Sequence, residues 1–243
     1  NVGSTFNSIV EKISTTISGV LTPRITSMVV QNATKSELTE LLIRIGRIQF
    51  LIIGLVVSGF ITFGQSFIML WAGEDYRASY VIALLTMVPL TIPLIQTVAK
   101  SIIIAQNKHQ FRSLVYLVIA IINVISTYII VPYMGGIGAA LCSCLSYIIG
   151  QGLIMNIYYH RVTGLDMFAF WKNIMQMAVI PIVQVLIYRG IVIRFVNFYD
   201  VQAFLIGVVS YSLIYAVLMF FFVMNRYEKE LILKPILSIL HKK

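Results

Sequence analysis

Residues 48–70 read IQFLIIGLVVSGFITFGQSFIML, a run of 23 residues without a charged side chain. An α-helix rises about 1.5 Å per residue, so a run of this length can cross a hydrocarbon core of about 30 Å. The apolar residues are continuous rather than alternating at a period of two, which argues against a strand of a membrane β-barrel. The run therefore predicts a transmembrane α-helix.

Six further stretches repeat this pattern along a chain of 243 residues, of which 59% are hydrophobic and only 11% are charged. Soluble globular domains average about 25% charged residues, so the composition is that of a membrane protein. We expect an all-α membrane protein that forms one bundle of about seven transmembrane helices. The predicted helices cover residues 4–23, 48–70, 79–105, 113–132, 136–158, 172–194 and 201–224.

Basic residues predict the orientation of this bundle. Of the 18 Lys and Arg residues, 13 fall at one set of connections or in the tail, three at the other set, and Lys12 and Lys100 inside helices. The positive-inside rule places the richer side in the cytoplasm, with the N-terminus of this chain outside and its C-terminus inside. The net charge of +9 thus indicates membrane topology rather than a nucleic-acid partner.

Both ends of the chain and its first inner connection add to this expectation. The chain enters a predicted helix almost at Asn1, so we expect it to be the C-terminal part of a longer protein. Residues 34–47 combine capping-box spacing at Thr34 and Glu37 with one apolar face, and we expect them to lie along the cytoplasmic surface. The basic, apolar tail 225–243 is expected to be a surface-lying amphipathic segment, with a disordered tail as the alternative.

The first predicted helix carries the charges Glu11 and Lys12 on or beside a polar stripe that includes Ser8 and Thr15. A charged side chain near the bilayer centre costs about 2.5–3.5 kcal/mol even on lenient insertion scales. These residues are therefore predicted to line a hydrated substrate path, or else to form ion pairs that hold the bundle together. Neighbouring residues on a helix point about 100° apart, so a tight pair between the two alone is disfavoured.

The third predicted helix offers a further cation and two prolines. Lys100 either extends to the lipid headgroups at the cytoplasmic end or faces inward, where it meets anionic headgroups that enter from the cytoplasmic leaflet. Gln96, one turn earlier, makes that face of the helix polar. Pro89 and Pro93 remove two backbone donors and are predicted to bend the helix, either as a moving hinge or as a static kink.

Small residues recur at the start of the fifth predicted helix and just before it, where Gly135, Ala139 and Ser143 fall along one face of the stretch 135–150. Such spacing lets helix backbones approach closely, so these three residues are predicted to pack helices. The sequence contains no HExxH, GxSxG or P-loop motif, and its three His residues are scattered. We therefore expect no enzyme activity, catalytic residue, metal or cofactor.

Four segments together resemble one family of transporters. The stretch NVISTYIIVPYMGGIGAALCSCLSYIIG (123–150) is similar to a signature of bacterial polysaccharide-repeat flippases, the Wzx-type branch of the multidrug/oligosaccharidyl-lipid/polysaccharide exporter superfamily. LTPRITSM (21–28), LWAGEDYRAS (70–79) and AQNKHQFRS (105–113) fit the same family in order. The resemblance covers about residues 1–160.

The resemblance implies a two-lobe transporter of about fourteen helices, of which this chain would be the C-terminal seven, in the bacterial cytoplasmic (inner) membrane. Its substrate would be an undecaprenyl-pyrophosphate-linked oligosaccharide, moved by alternating access for capsule or O-antigen export, with Lys12 first and Lys100 second in a cationic cavity. Expected partners are this substrate, membrane lipids, a polysaccharide polymerase and a chain-length regulator, but no nucleic acid. The alternatives are a multidrug or cation antiporter of the same superfamily, with Glu11 as its acidic residue, and a membrane polysaccharide polymerase or ligase.

Overall fold

The computed structural model describes residues 23–231 and residue 233, and these ranges contain helices and turns but no β-strand. Between residues 35 and 223 the α-helices are, in chain order, α1, Lys35–Ala72; α2, Arg77–Ile95; α3, Thr97–Ala105; α4, His109–Tyr147; α5, Met155–Tyr158; α6, Met167–Ile187; α7, Ile193–Phe195; and α8, Val201–Leu218. π-Helical turns extend α4, α5, α6 and α8: Ile148–Ile154, Tyr159–Thr163, Tyr188–Val192 and Met219–Val223.

Five helical stretches in the described residues are long and apolar enough to cross a membrane. They are Lys35–Ala72, Glu74–Ile95, His109–Thr163, Met167–Phe195 and Val201–Val223. The prediction of an all-α, multi-pass membrane protein is confirmed at this level.

The longest stretch, His109–Thr163, folds back on itself. Gly135 interrupts the helix with φ 56° and ψ −141°, a conformation that is open to glycine and rarely adopted by other residues. Phe111 stacks on Tyr158 with 4.4 Å between ring centroids, and a methyl group on Gly150 would lie 2.5 Å from Ile119 Cδ1. Each pair joins positions whose distances before and after Gly135 differ by one residue, so the two halves form an antiparallel hairpin.

We call residues 109–134 the outgoing limb and residues 136–163 the return limb. The limbs contain the helices predicted over 113–132 and 136–158, and the turn at Gly135 lies between those two ranges. Each limb is longer than its prediction at the end away from the turn, because the connections at that end are short.

α1 occupies the centre of the bundle and packs against α2, α6 and α8. It begins after the predicted capping box, in which Thr34 and Glu37 exchange side-chain and backbone hydrogen bonds. Instead of lying on the surface, its first three turns continue straight into the predicted span 48–70. Leu38 and Leu42 are fully buried in the main core, which holds these turns within the bundle.

The predicted helix 79–105 is divided into α2 and α3 at Gln96, where the backbone has φ −109° and ψ 19°. The division follows Pro93 by three residues. Pro93 has no N–H to donate to the carbonyl of Pro89, and its ring crowds that carbonyl, so the ladder of helical hydrogen bonds is weakened there. The interruption therefore lies close to the middle of the predicted helix, where the two prolines were expected to bend it.

A tight turn replaces the expected longer connection before α6. Gly164 has φ 75°, and the Asp166 carboxylate accepts a hydrogen bond at 3.0 Å from the Ala169 N–H, so the helix begins at Met167 rather than 172. At the start of the described chain, residues 23–30 are helical, beyond the predicted end at 23. The helix predicted over 201–224 agrees with α8 and its π-helical turn.

Candidate functional site

Two basic side chains line one cavity of about 210 Å³ between α2, α3 and the two limbs of the hairpin. Lys100 lies in the middle of α3, and Arg112 lies in the first turn of α4. We call this space the cation cavity. Its other described lining residues are Leu90, Pro93, Leu94, Gln96, Thr97, Tyr116, Tyr147, Gln151 and Tyr159.

The contacts of Arg112 are with an aromatic side chain. Its Nε donates a hydrogen bond at 2.9 Å to the hydroxyl of Tyr116, four residues later on the same helix, and its guanidinium carbon lies 4.5 Å from the ring centroid. A neutral tyrosine orients the guanidinium and leaves its positive charge in place. None of the described residues that line the cavity is Asp or Glu. The cavity therefore favours an anionic group.

Amide side chains form one wall of the cation cavity. Asn156 Oδ1 accepts hydrogen bonds from Gln96 Nε2 at 2.9 Å and from Trp171 Nε1 at 2.7 Å. Asn156 Nδ2 donates to the backbone carbonyl of Gln151 at 2.7 Å. This network joins α2–α3, the return limb and α6, so the wall is fixed by three separate helices.

Gln96 leaves one hydrogen-bonding atom of this wall unused. The side chain is 2% exposed, and its Oε1 accepts no hydrogen bond from the described part of the chain. Because Nε2 donates to Asn156, the orientation of the amide is set and Oε1 is the acceptor. A buried acceptor that lacks a donor costs about 1–3 kcal/mol, so a ligand hydroxyl or N–H at this wall would be stabilised.

The structure brings together only part of the site predicted from sequence. Lys100 lines the cation cavity and is exposed, and Pro93 lines it as well, whereas Pro89 is buried in α2. Four other predicted path residues, Ser8, Glu11, Lys12 and Thr15, lie outside the described residues.

The predicted packing residues lie on and beyond the hairpin turn. Gly135 is exposed at the turn itself, while Ala139 and Ser143 are half-buried on the return limb. The limbs approach closely at Gly138 and Gly150, both buried, where an added methyl group would lie 2.7 Å from Ile130 Cγ2 and 2.5 Å from Ile119 Cδ1.

Several residues of the cavity were missed by sequence reasoning. Arg112 falls in a predicted connection, where it contributes to the charge asymmetry, and the sequence analysis assigns no role to Gln151, Asn156 or Tyr159. The sequence does contain a sign of these residues. Burying an amide side chain in lipid costs free energy, so an amide inside an apolar membrane helix marks a position that faces the interior of the bundle. Gln151 and Asn156 are two such amides on one predicted helix.

A second polar cluster, also missed, joins α1 to the segment after α8. Arg47 donates from Nε to Glu228 Oε1 at 2.6 Å and from a terminal nitrogen to Glu228 Oε2 and the Val223 carbonyl, both at 2.9 Å. The two side chains are 9% and 1% exposed. Arg44 lies 3.2 Å from the ring centroid of Tyr227 nearby. The ion pair fixes the first residues of the predicted tail against the bundle.

Arginines also line a cavity of about 400 Å³ at the other end of the bundle. Arg189 donates to the Ile61 carbonyl at 3.2 Å and to the Tyr80 hydroxyl at 2.9 Å, which ties the end of α6 to α1 and α2. Arg194 lines the same space. Both residues belong to the sparsely basic set of connections.

Among the described residues, no group of three or more His, Cys, Asp or Glu side chains could hold a metal ion. Neither a family model, nor a curated protein, nor a solved structure matches this chain significantly. The fold and composition define its class: it is an all-α, multi-pass membrane protein.

Proposed function

We propose that this protein moves a lipid-linked oligosaccharide with an anionic headgroup across the membrane, without covalent chemistry. The observation that carries this proposal is the cation cavity, in which Lys100 and Arg112 lie among tyrosine and amide side chains. Charged side chains inside membrane proteins are rare and usually mark the path of a substrate or ion. Two cations in one polar cavity suit a group with more than one negative charge.

A pyrophosphate-linked sugar fits the rest of the lining. A pyrophosphate that leaves water loses its hydration, and cations with hydrogen-bond donors offset that loss. The Gln96 Oε1 acceptor and the tyrosine hydroxyls around the cavity suit sugar hydroxyl groups. An undecaprenyl-pyrophosphate-linked repeat unit combines these features with an apolar tail that remains in the bilayer.

The resemblance to polysaccharide-repeat flippases supports the same proposal from sequence. On this view the chain forms seven membrane helices: the limbs of the hairpin count as two, and the helix predicted over 4–23 completes the number. It would be the C-terminal lobe of a fourteen-helix transporter that works by alternating access in the bacterial inner membrane. A polysaccharide polymerase and a chain-length regulator would act on the exported repeat.

The composition of the cavity favours an anion over a cationic drug. An antiporter for cations needs a carboxylate on its path, and the described lining residues of the cation cavity include none. Glu11, the acidic residue that the antiporter alternative uses, lies outside the described residues. A polymerase or ligase would need catalytic polar residues in a sizeable outer connection, and the predicted outer connections are short.

Binding of a headgroup tests the proposal directly. The protein is titrated in detergent with undecaprenyl pyrophosphate and, as the comparison, with undecaprenol, and affinity is measured by native mass spectrometry. We expect the pyrophosphate to bind more tightly and the double variant Lys100→Gln with Arg112→Gln to lose that preference. Arg226→Gln, which removes an exposed cation outside the cavity, is the matched control. Equal binding of both lipids by the unmodified protein would refute the proposal.

Orientation is tested separately by thiol labelling. In a chain without Cys142 and Cys144, single cysteines replace Lys108, which is exposed just before the outgoing limb, and Asp75, which is exposed between α1 and α2. The charge asymmetry predicts that in intact cells an impermeant reagent labels position 75 and spares position 108. The reverse pattern would place the cation cavity at the outer end of the bundle.

A further inference from the structure

A groove of about 640 Å³ lies between the return limb and the start of α6, on the far side of the amide wall from the cation cavity. Its lining residues are Gly152, Leu153, Asn156, Ile157, His160, Arg161, Met167, Phe168 and Trp171. We call it the interhelix groove. Its volume is typical of a site for a small molecule.

The walls of the interhelix groove are apolar and open to the surroundings of the bundle. Leu153, Ile157 and Phe168 are 57%, 49% and 77% exposed. All three belong to helical stretches that are long and apolar enough to cross a membrane. Side chains of this kind meet lipid chains rather than water when the bundle is in a bilayer.

The end of the groove nearest the turn at Gly164 is basic and aromatic. His160 and Arg161 are exposed in the last turn of the return limb, only a few residues before the turn at Gly164. Trp171 lies beside them with its indole N–H donated to Asn156. Tryptophan and arginine at a helix end are typical of the level of lipid headgroups.

Charges next to the groove add to this basic character. Lys172 follows Trp171 and is exposed. The acidic residue nearest in sequence is Asp166, whose carboxylate already accepts a hydrogen bond from the Ala169 N–H at the start of α6. An anionic headgroup at His160 and Arg161 would therefore meet positive charge.

We propose that the interhelix groove binds one anionic phospholipid, with its phosphate at Arg161 and His160 and an acyl chain along Leu153 and Ile157. Basic pockets between membrane helices are known to bind anionic lipid headgroups, and here the apolar floor continues directly below the Arg161 guanidinium and the His160 ring. The lipid would pack against Trp171 and Asn156, whose hydrogen bonds also hold the wall of the cation cavity. This proposal is independent of transport and of the identity of the transported substrate.

Tryptophan fluorescence provides the test, because the chain has only two tryptophans, Trp71 and Trp171. The variant Trp71→Phe, with Trp171 as its remaining tryptophan, is reconstituted into phosphatidylcholine vesicles that contain increasing fractions of brominated phosphatidylglycerol. Brominated phosphatidylcholine is titrated in parallel. Bromine on the acyl chains quenches a tryptophan that is in contact with them.

We expect half-maximal quenching of Trp171 at a several-fold lower fraction of phosphatidylglycerol than of phosphatidylcholine. Arg161→Gln should weaken this preference roughly fivefold, because one basic residue near an anionic surface contributes about 1 kcal/mol. Arg161→Lys should retain most of the preference and guards against misfolding of the Gln variant. Arg194→Gln, at the other end of the bundle, and the variant Trp171→Phe, which reports from Trp71, are the matched controls.

Two results would overturn the proposal. Equal quenching of Trp171 by the two brominated lipids would show that the groove meets bulk lipid without selecting an anionic headgroup. Protection of Trp171 from both lipids would show that protein, rather than lipid, covers the groove.

Discussion

Two arginines near the same end of the bundle differ in how their charges are met. Arg47 is 7% exposed on α1 and makes two hydrogen bonds to the Glu228 carboxylate and a third to a backbone carbonyl. Arg112 on α4 is half-buried and contacts the neutral hydroxyl and ring of Tyr116. The first charge is neutralised within the protein, whereas no carboxylate among the described residues that line the cavity neutralises the second.

This difference separates a structural cation from a candidate binding cation. Removing one partner of a buried ion pair strongly destabilises the folded protein, because the remaining charge is left without compensation. Arg112 faces a cavity whose described lining residues include no carboxylate, so its removal should cost the fold little. Stability should therefore depend on Arg47, and function on Arg112.

The largest expected effect follows from breaking the ion pair. Arg47→Gln or Glu228→Gln should each lower the free energy of unfolding by about 3–5 kcal/mol, because each leaves a buried charge without its partner. Thermal unfolding of the purified protein in detergent measures the loss. The double variant Arg47→Gln with Glu228→Gln should recover most of it, and a double variant as unstable as the single ones would contradict the structural role.

An intermediate effect is expected in the wall that holds the cation cavity. Asn156→Ala removes the acceptor of two hydrogen bonds and leaves the Gln96 and Trp171 donors unsatisfied, at a cost of about 1–3 kcal/mol. The same thermal unfolding assay applies, with Asn173→Ala as a control, since Asn173 bonds only the carbonyl of Ala169 in its own helix. A loss no greater than that of the control would mean that the wall does not depend on Asn156.

The smallest effect on stability is expected at the partner of Arg112. Tyr116→Phe removes the hydroxyl that accepts from Nε and keeps the ring, so the free energy of unfolding should fall by about 0.5–1.5 kcal/mol. Binding of a pyrophosphate lipid should weaken less than in Arg112→Gln, because the charge is still present. If Tyr116→Phe weakened binding as much as Arg112→Gln, orientation rather than charge would be the main contribution of this pair.

The helical class was predictable from sequence because hydropathy depends on composition within one segment. The position of α8 with its π-helical turn agrees with the predicted span 201–224, since an apolar run marks it directly. The straight continuation of residues 35–47 into α1 was not predictable in this way. An amphipathic segment has the same pattern whether its apolar face meets a membrane surface or, as with Leu38 and Leu42, the core of the bundle.

The candidate site was predicted only in part for a related reason. Lys100 was singled out because it is charged inside an apolar run, but Arg112 lies at a predicted helix end, where basic residues are common. The partnership of Arg47 with Glu228 spans most of the chain, and no local pattern links residues so far apart. Which of the two arginines has a carboxylate partner is therefore a property of the tertiary structure.

The central claim is that Lys100 and Arg112 bind the substrate. Transport measured per amount of folded protein tests this claim most directly. In cells whose export depends on this protein, export of the lipid-linked repeat is measured per amount of folded protein. The double variant Lys100→Gln with Arg112→Gln is compared with the control variant Arg226→Gln. The cation cavity predicts that the double variant loses most of its transport per amount of folded protein. Normal transport by the double variant at a normal protein level would contradict a role for these cations in binding the substrate.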